Sequence, residues 1–155
     1  MREPFTVLVF LFRTTPDGPE YAIFRRADDT YWQSVSGGME TGKTLRAAAR
    51  RETLEETGMP ATNPLYQLDM TSGVEKTCFT AGQYWPTDLY IVRKHFFAMD
   101  VTGESRPVNL SDEHSEFRWM PYHEGHEALR YDDDKTALWE LDARLQHEDL
   151  PAPLD

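Results

Sequence analysis

One segment, Thr44 to Thr57, has the strongest helical pattern in the chain, and it lies between segments typical of strands. Thr44 is a suitable N-cap, alanines fill the middle, and Gly58, followed two residues later by Pro60, ends the helix. Further helical patterns occur only near the C-terminus, so strands and helices do not alternate along the chain. This order predicts an α+β fold with a mixed sheet rather than a ladder of βαβ units.

The other predicted elements are apolar or alternating runs bounded by Gly, Pro, Asn and Asp. The predicted strands are 5–13, 21–26, 32–35, 65–71, 89–101 and 116–120, and the late helices are 122–130 and 134–145. No repeat or linker divides the chain, and its 155 residues suffice to bury one core. We therefore expect a single domain over residues 1–148, with residues 149–155 as a frayed tail.

Charge and cysteine content limit the partners and the compartment. The net charge of −11 argues against binding to the backbone of a nucleic-acid polymer, but it allows a small phosphorylated ligand held through a metal. Cys78 is the only cysteine, which fits a reducing compartment. The apolar run at residues 5–12 is too short to cross a membrane. We predict a cytoplasmic protein without a membrane partner, and the sequence leaves open whether it forms a homodimer.

Three carboxylates, those of Glu52, Glu55 and Glu56, share one face of the predicted helix, because helical neighbours lie three and four positions apart. Like charges at this spacing repel by roughly 0.2–0.5 kcal/mol per pair. Two interpretations remain, a solvated acidic face or a bound cation that removes the repulsion. Carboxylates that face a cleft are the oxygen ligands that Mg²⁺ and Mn²⁺ prefer.

The helical wheel separates the glutamates from a second stripe. Ala47 and Leu54 turn to one side together with Gly58, and we expect this stripe to pack against the sheet. Leu45 and Ala48 lead into the glutamates on the other side. The acidic face is therefore expected to form the wall of a cleft.

The segment GGMETGKTLRAAARRETLEETGM, residues 37–59, resembles the Nudix box, in which a glycine loop precedes a helix with an Arg-Glu and a Glu-Glu pair. The first glycine of the box corresponds to Gly37, and the two pairs correspond to Arg51–Glu52 and Glu55–Glu56. The chain departs from the box at Lys43, where the family has glutamate, and at Thr53, where an aliphatic residue is usual.

The resemblance covers most of the chain. Residues 25–38, 110–120 and 135–141 are similar to parts of the dATP and dihydroneopterin triphosphate pyrophosphohydrolases of this family. This implies a Nudix α/β/α sandwich that hydrolyses a nucleoside or pterin triphosphate with Mg²⁺, or Mn²⁺ as a substitute, and releases pyrophosphate. Alternatives are a hydrolase of a nucleotide-sugar, ADP-ribose or a dinucleoside polyphosphate, and a catalytically weak binding or regulatory module.

The same resemblance assigns roles to the residues of the box. Glu52 and Glu56 are implied as the principal metal ligands, and Glu55 as a further ligand or a contact through water. The Gly37 carbonyl is implied as a backbone ligand. We expect Arg51 to orient the glutamates by hydrogen bonding, as a guanidinium fork can.

Glu113 resembles a late glutamate that completes the metal site or acts as the base in this branch. The alternative is an acid on the surface of a loop, since Asp112 and Glu116 lie beside it. The glutamate of the box that Lys43 replaces can pair with the arginine that corresponds to Arg51. We expect Glu40 to supply that carboxylate instead, and the alternative is that Lys43 faces outward and contacts a substrate phosphate.

Four residues are candidates for binding substrate: Arg26, Trp32, Tyr84 and Trp85. Trp32 is suited to stack on a base or pterin ring, although packing in the core is an equal alternative. Arg26 can reach a phosphate unless it pairs with a neighbouring aspartate. Tyr84 and Trp85 belong to the stretch 72–88, for which we recognise no counterpart in the resemblance and which we expect to determine substrate choice. These two residues either line the pocket or pack in the core.

Overall fold

The computed structural model describes all 155 residues. The strands are β1 (Arg2–Thr15), β2 (Gly18–Arg26), β3 (Trp32–Gln33), β4 (Val35–Glu40), β5 (Leu65–Glu75), β6 (Ile91–Asp100) and β7 (His114–Met120). The helices are α1 (Leu45–Thr57), α2 (Tyr122–Ala128) and α3 (Asp132–Gln146). Two 3₁₀ turns, Lys76–Cys78 and Thr80–Tyr84, lie between β5 and β6.

The seven strands form one mixed sheet with the order β3-β2-β1-β6-β5. β4 pairs with the first half of β1, and β7 pairs with β2. β1 and β6 run parallel, whereas the other pairs are antiparallel. β4 has a strand neighbour on one side only, so the backbone groups of its other edge can contact side chains or ligands.

Helices cover both faces of this sheet. Because neighbouring residues of a strand point to opposite faces, β1 contributes to two separate cores. Packed on the α1 side are Val7, Val9, Leu11, Phe24, Phe97 and Ala49. Packed on the side of α2 and α3 are Leu8, Phe10, Phe12, Ile23, Phe96, Leu138 and Leu141. The architecture is an α/β/α sandwich, which confirms the fold expected from the sequence.

The ends of α1 are those that the sequence predicts. The Thr44 hydroxyl accepts a hydrogen bond from the backbone N–H of Ala47 at 3.1 Å, as an N-cap does. Gly58 adopts a left-handed conformation with φ of 76°, and its N–H donates to the Leu54 carbonyl. A residue with a side chain would be strained at this φ, so glycine ends the helix for a conformational reason.

The orientation of α1 differs from the expectation. Ala47 is exposed and Leu54 is 49% exposed, so the stripe of small residues faces solvent. The residues of α1 that are buried are Ala48, Ala49, Thr53, Glu56 and Thr57. Thr53 tolerates burial because its hydroxyl donates to the Ala49 carbonyl at 2.7 Å within the helix. The face that carries Glu56 therefore packs against the sheet.

The C-terminal residues, expected to fray, are docked on the domain. The N–H of Leu154 donates to the Leu65 carbonyl at 2.7 Å, and the Arg50 guanidinium donates to the Leu154 carbonyl at 3.0 Å. Residues 149–155 thus belong to the folded unit, because apolar Leu150 and Leu154 pack against the cores. No helix combines the length and the apolar character that crossing a membrane requires.

Candidate active site

Glu56 is the most deeply buried of the predicted site residues. It is 2% exposed, its Oε2 accepts a hydrogen bond from the Ser36 backbone N–H at 3.1 Å, and its Oε1 has no partner. Burial, together with the neighbouring carboxyl group of Glu113, raises the pKa of Glu56 to about 10. Glu56 therefore holds a proton at neutral pH when no cation is present, and Glu113 lies directly beside it.

Glu52 lies over the backbone of β4. A Cβ at Gly37 would collide with the Glu52 carboxyl group, so glycine is required at this position for space. Burial raises the pKa of Glu52, the Arg51 charge opposes this shift, and neighbouring carboxylates, including Glu113, add to it. Glu52 and Glu113 thus belong to one group of interacting acids beside Gly37.

Arg51 connects this group to the strand. Its Nη2 lies 3.0 Å from Glu52 Oε1 and donates to the Gly38 carbonyl at 2.8 Å. Its Nη1 lies 3.6 Å from Glu55 Oε1. These contacts restrain Glu52 against β4, which is the geometry that an orienting role requires.

The acids do not form a complete ion cage in this arrangement. No three His, Cys, Asp or Glu side chains of the chain converge as metal ligands. The Glu55 side chain is 57% exposed and forms an ion pair with Arg51. The buried acids nevertheless fit a hard divalent cation, because Glu56 Oε1 has no hydrogen-bond partner and the raised pKa of Glu56 keeps a proton on this carboxyl group, beside Glu113. A cation would replace that proton and neutralise both carboxylates.

The second glycine of the pair, Gly38, faces the other side of β4. A Cβ there would lie 2.6 Å from Nε of Arg2, whose Nη2 donates to the Thr6 hydroxyl at 3.1 Å. Arg2 is half-buried, and its Nε has no partner. Burial lowers the pKa of Arg2, and two nearby glutamates oppose this shift. The glycine pair thus lets β4 pass between a carboxylate on one face and a guanidinium on the other.

The stretch 72–88 supports Arg2. The guanidinium carbon of Arg2 lies 4.7 Å from the centre of the Phe79 ring, and Trp85 Nε1 donates to the Arg2 carbonyl at 2.8 Å. Trp85 is 7% exposed and packs beside Phe79, whereas Tyr84 is 68% exposed. The structure therefore places Trp85 as a support for Arg2, and it places Tyr84 in solvent.

Arg26 lies at the border of the glutamate group and is already paired. Its Nε and Nη2 donate to the two carboxylate oxygens of Asp28 at 2.8 and 2.7 Å. The hydrogen bond to Asp28 raises the pKa of Arg26, and the charge of Glu113 contributes to the same shift. Contact with a phosphate would require Arg26 to share or leave Asp28.

Trp32 lies apart from the acids of α1. Its ring packs with the core beneath α2 and α3, and the Arg118 guanidinium carbon lies 5.6 Å from its centre. Trp32 is only half-buried, so part of the ring is accessible on this face of the sheet.

Glu40 does not replace the missing carboxylate of the box. Its Oε2 lies 3.3 Å from the amino group of Met1, whereas Arg51 pairs with glutamates of its own helix. Lys43 is exposed and lines a cavity of about 320 Å³ beside Arg51. The contact expected between Glu40 and Arg51 is therefore absent, because Arg51 already has its carboxylate partners.

Sequence reasoning missed a charged group on the face opposite α1. Lys94 Nζ lies 2.6 Å from Asp133 Oδ2 and 3.9 Å from Asp134 Oδ1. The signal was present in β6, where Lys94 interrupts an alternating series that is otherwise buried and apolar. The other members of that series are Val92, Phe96 and Ala98.

The chain matches the family model described as the NUDIX domain over residues 4–139. It is 31% identical over 118 residues to a dihydroneopterin triphosphate diphosphatase of Haemophilus influenzae, with 74% of this chain and 72% of that protein covered. It is 30% identical over 105 residues to an RNA pyrophosphohydrolase of Bradyrhizobium sp., with 61% of each protein covered. The chain thus spans about three fifths of the length of the RNA pyrophosphohydrolases that it matches.

A solved structure of similar architecture is that of a NUDIX hydrolase from Listeria monocytogenes. The TM-score is 0.87 at 35% sequence identity, and the match covers 97% of this chain and 99% of that chain. The likeness therefore extends over both helical layers and the sheet.

Proposed function

The chain belongs to the Nudix family, and from this premise we propose that it is a Mg²⁺-dependent pyrophosphohydrolase of a nucleoside triphosphate or a pterin triphosphate. The Arg-Glu and Glu-Glu pairs of the box are present, and the relative from Haemophilus influenzae is named for a pterin triphosphate. The cytoplasmic location stays a prediction of the sequence, and whether the chain forms a homodimer stays open.

The observation that carries this proposal is the contact between Glu56 and Glu113. A carboxyl group that is 2% exposed, with one oxygen unpartnered and a second carboxyl beside it, has no stabilising role in an empty site. The same pair becomes favourable around a divalent cation, which both carboxylates can ligate.

Mg²⁺ bound there would stabilise the charge on phosphate oxygens and lower the pKa of a bound water. Glu52 and Glu56 would hold the ion, and Arg51 would keep Glu52 in place. In the reaction, a water oxygen bonds to phosphorus, the anhydride bond between the α and β phosphates breaks, and pyrophosphate leaves with the bonding electrons. Glu113 is exposed on its loop, and it would either complete the set of ligands or accept the proton of the water.

The alternative substrates differ in their products. A nucleotide-sugar or ADP-ribose yields two phosphomonoesters, and a dinucleoside polyphosphate yields a nucleotide and a shortened polyphosphate. The relatives named RNA pyrophosphohydrolase make a 5′-triphosphorylated RNA a necessary comparison, although the net charge of −11 disfavours broad contact with an RNA backbone.

The proposal is tested by product analysis with the purified chain and Mg²⁺. Substrates are nucleoside triphosphates, dihydroneopterin triphosphate, ADP-ribose, a dinucleoside tetraphosphate and 5′-triphosphorylated RNA, and Glu52→Gln serves as the inactive control. We expect pyrophosphate from a triphosphate and a requirement for metal. Hydrolysis of only one of the other classes of substrate would contradict the proposal and would identify that class as the substrate. Absence of turnover on every substrate would favour the binding module.

A further inference from the structure

A cavity of about 320 Å³ lies between α1 and the turn that leads into this helix. Its lining residues are Glu40, Lys43, Ala47, Ala48 and Arg51. This volume is at the lower end of the range for small-molecule sites, so the cavity suits a small ligand or one end of a larger one. The two alanines leave the cavity open, because neither has a side chain beyond Cβ.

Lys43 brings to this cavity a cation that has no partner in the chain. The chain has four lysines, and the ammonium groups of the other three each donate a hydrogen bond to an oxygen of the chain. Glu40 is the only acid of the cavity lining, and its Oε2 already lies 3.3 Å from the amino group of Met1. An anionic ligand is therefore the partner that the Lys43 ammonium can accept.

The backbone holds Lys43 at the cavity. The Lys43 N–H donates to the Glu40 carbonyl at 3.0 Å and closes a turn in which Gly42 has a φ of 78°. A positive φ at this place favours glycine. The next residue after Lys43 is Thr44, the N-cap of α1. The backbone of Lys43 is thus fixed on both sides, and only its side chain must become ordered when a ligand binds.

Arg51 connects the cavity with the candidate active site. Its Nη2 contacts the Gly38 carbonyl and the Glu52 carboxylate, and its Nη1 lies 3.6 Å from Glu55 Oε1, whereas its Nε has no acceptor in the chain. Because a hydrogen bond spans about 2.9 Å, an anion that accepts from a free donor of Arg51 would lie within roughly 8 Å of the Glu52 carboxylate. One ligand can therefore contact the cavity and the proposed metal site together.

We propose that this cavity binds the terminal phosphates of a triphosphate substrate, the group that leaves as pyrophosphate, and that Lys43 is their contact. The inference rests on the proposed hydrolysis of a triphosphate. Phosphate oxygens are acceptors that an ammonium group and a guanidinium group both bind. No aromatic side chain lines the cavity, so the base or pterin of the substrate lies outside it.

The first test compares Lys43→Gln with Arg46→Gln, which removes an equal charge from an exposed position that does not line the cavity. With saturating Mg²⁺, Lys43→Gln should raise KM for a triphosphate by about tenfold or more and leave kcat within about threefold, because a charge-assisted hydrogen bond to the substrate is lost. Arg46→Gln should leave both constants within about twofold. An unchanged KM in Lys43→Gln, or an equal rise in Arg46→Gln, would overturn the inference and leave the proposed function intact.

Ala47 allows a second test, in which a carboxylate is added beside the cavity. Ala47 is the third residue of α1 after the Thr44 cap, where either Glu or Gln can complete a capping box, so neither variant should melt below the unmodified chain. Ala47→Glu should raise KM for a triphosphate by about threefold or more relative to Ala47→Gln, since the two side chains are similar in size and differ in charge. Equal KM values in the two variants would contradict a phosphate at this place.

Binding of inorganic pyrophosphate separates this inference from the proposed function. In the presence of Mg²⁺, pyrophosphate should raise the melting temperature of the unmodified chain and of Arg46→Gln, and Lys43→Glu should remove most of this shift. Such binding without hydrolysis of any triphosphate would uphold the anion site and reject the proposed function. Hydrolysis of triphosphates, with a pyrophosphate shift that is unchanged in Lys43→Glu, would reject the inference alone.

Discussion

Glu56 is the side chain that most strongly indicates a metal site. Its carboxyl group is buried beneath β4, one oxygen has a backbone donor, and the other has none. Glu113 adds a second carboxyl, so the pair is stable only with a shared proton or a cation. Repulsion between neighbouring carboxylates therefore exists in the structure, and the proposed cation would remove it.

Replacing Glu56 by Gln should change the pH dependence of stability as well as activity. The folded pKa of about 10 lies above the ordinary value of 4.5, so the metal-free chain binds a proton on folding and loses stability as pH rises between these values. Glu56→Gln should flatten this decline and be the more stable form at high pH, while turnover falls by orders of magnitude. Thermal melts in EDTA from pH 5 to pH 9 measure the slope. A slope equal to that of the unmodified chain would contradict the assignment.

The glycine pair gives a test at two adjacent positions. Gly37→Ala should displace the Glu52 carboxyl and lower kcat, whereas Gly38→Ala should displace Arg2 and chiefly raise KM, each by about tenfold or more. Gly103→Ala is the matched control, since a Cβ there meets nothing within 4 Å. Steady-state kinetics with saturating Mg²⁺ separates the two effects. If Gly37→Ala retains full turnover, catalysis does not depend on the position of the Glu52 carboxyl group over β4.

At the scale of elements, the site is built by an edge strand, a helix and a loop. β4 supplies its free edge and two glycines, α1 supplies the glutamates, and the loop before β7 supplies Glu113. Backbone bonds fasten this loop, because the Glu113 carbonyl accepts from the Ala27 N–H at 2.9 Å and the Ser111 N–H donates to the Glu56 carbonyl at 3.3 Å. The late glutamate is thereby held beside α1.

The loop can be tested with neighbouring acids. Glu113→Gln should lower kcat by about 100-fold or more if this carboxylate accepts the proton of the water. Asp112→Asn removes the same charge from the preceding, exposed position and should leave kcat within about twofold. If Asp112→Asn lowers kcat as much as Glu113→Gln does, the role assigned to Glu113 is wrong.

At the scale of the whole molecule, the two faces of the sheet carry different sets of charged residues. The α1 face carries the buried acids that we propose as metal ligands, and the opposite face carries the ion pair between Lys94 and Asp133. β4, at the open end of the sheet, is where the two faces meet.

The sequence predicts the parts of this arrangement that depend on local spacing. The helix with its cap and the box glutamates follow from neighbouring positions, and the late Glu113 follows from resemblance. Arg2 and Asp134 were missed because their contacts depend on strand register and on α3 docking, which join residues far apart in the chain. The prediction of which side of α1 packs on the sheet was wrong. A glutamate is polar and is expected on the open side of a helix, whereas Glu56 lies on the side that packs on the sheet.

If a cation binds at Glu56 and Glu113, it must displace the proton that the raised pKa of Glu56 retains at neutral pH. Titration of Mg²⁺ into the metal-free chain, by calorimetry near pH 7.5 in two buffers of different ionisation enthalpy, measures proton release on binding. We expect release of about one proton per site, and loss of this release in Glu56→Gln, because ligands must be deprotonated to bind a metal. Binding of Mg²⁺ with no proton release, or binding unchanged in Glu56→Gln, would contradict it.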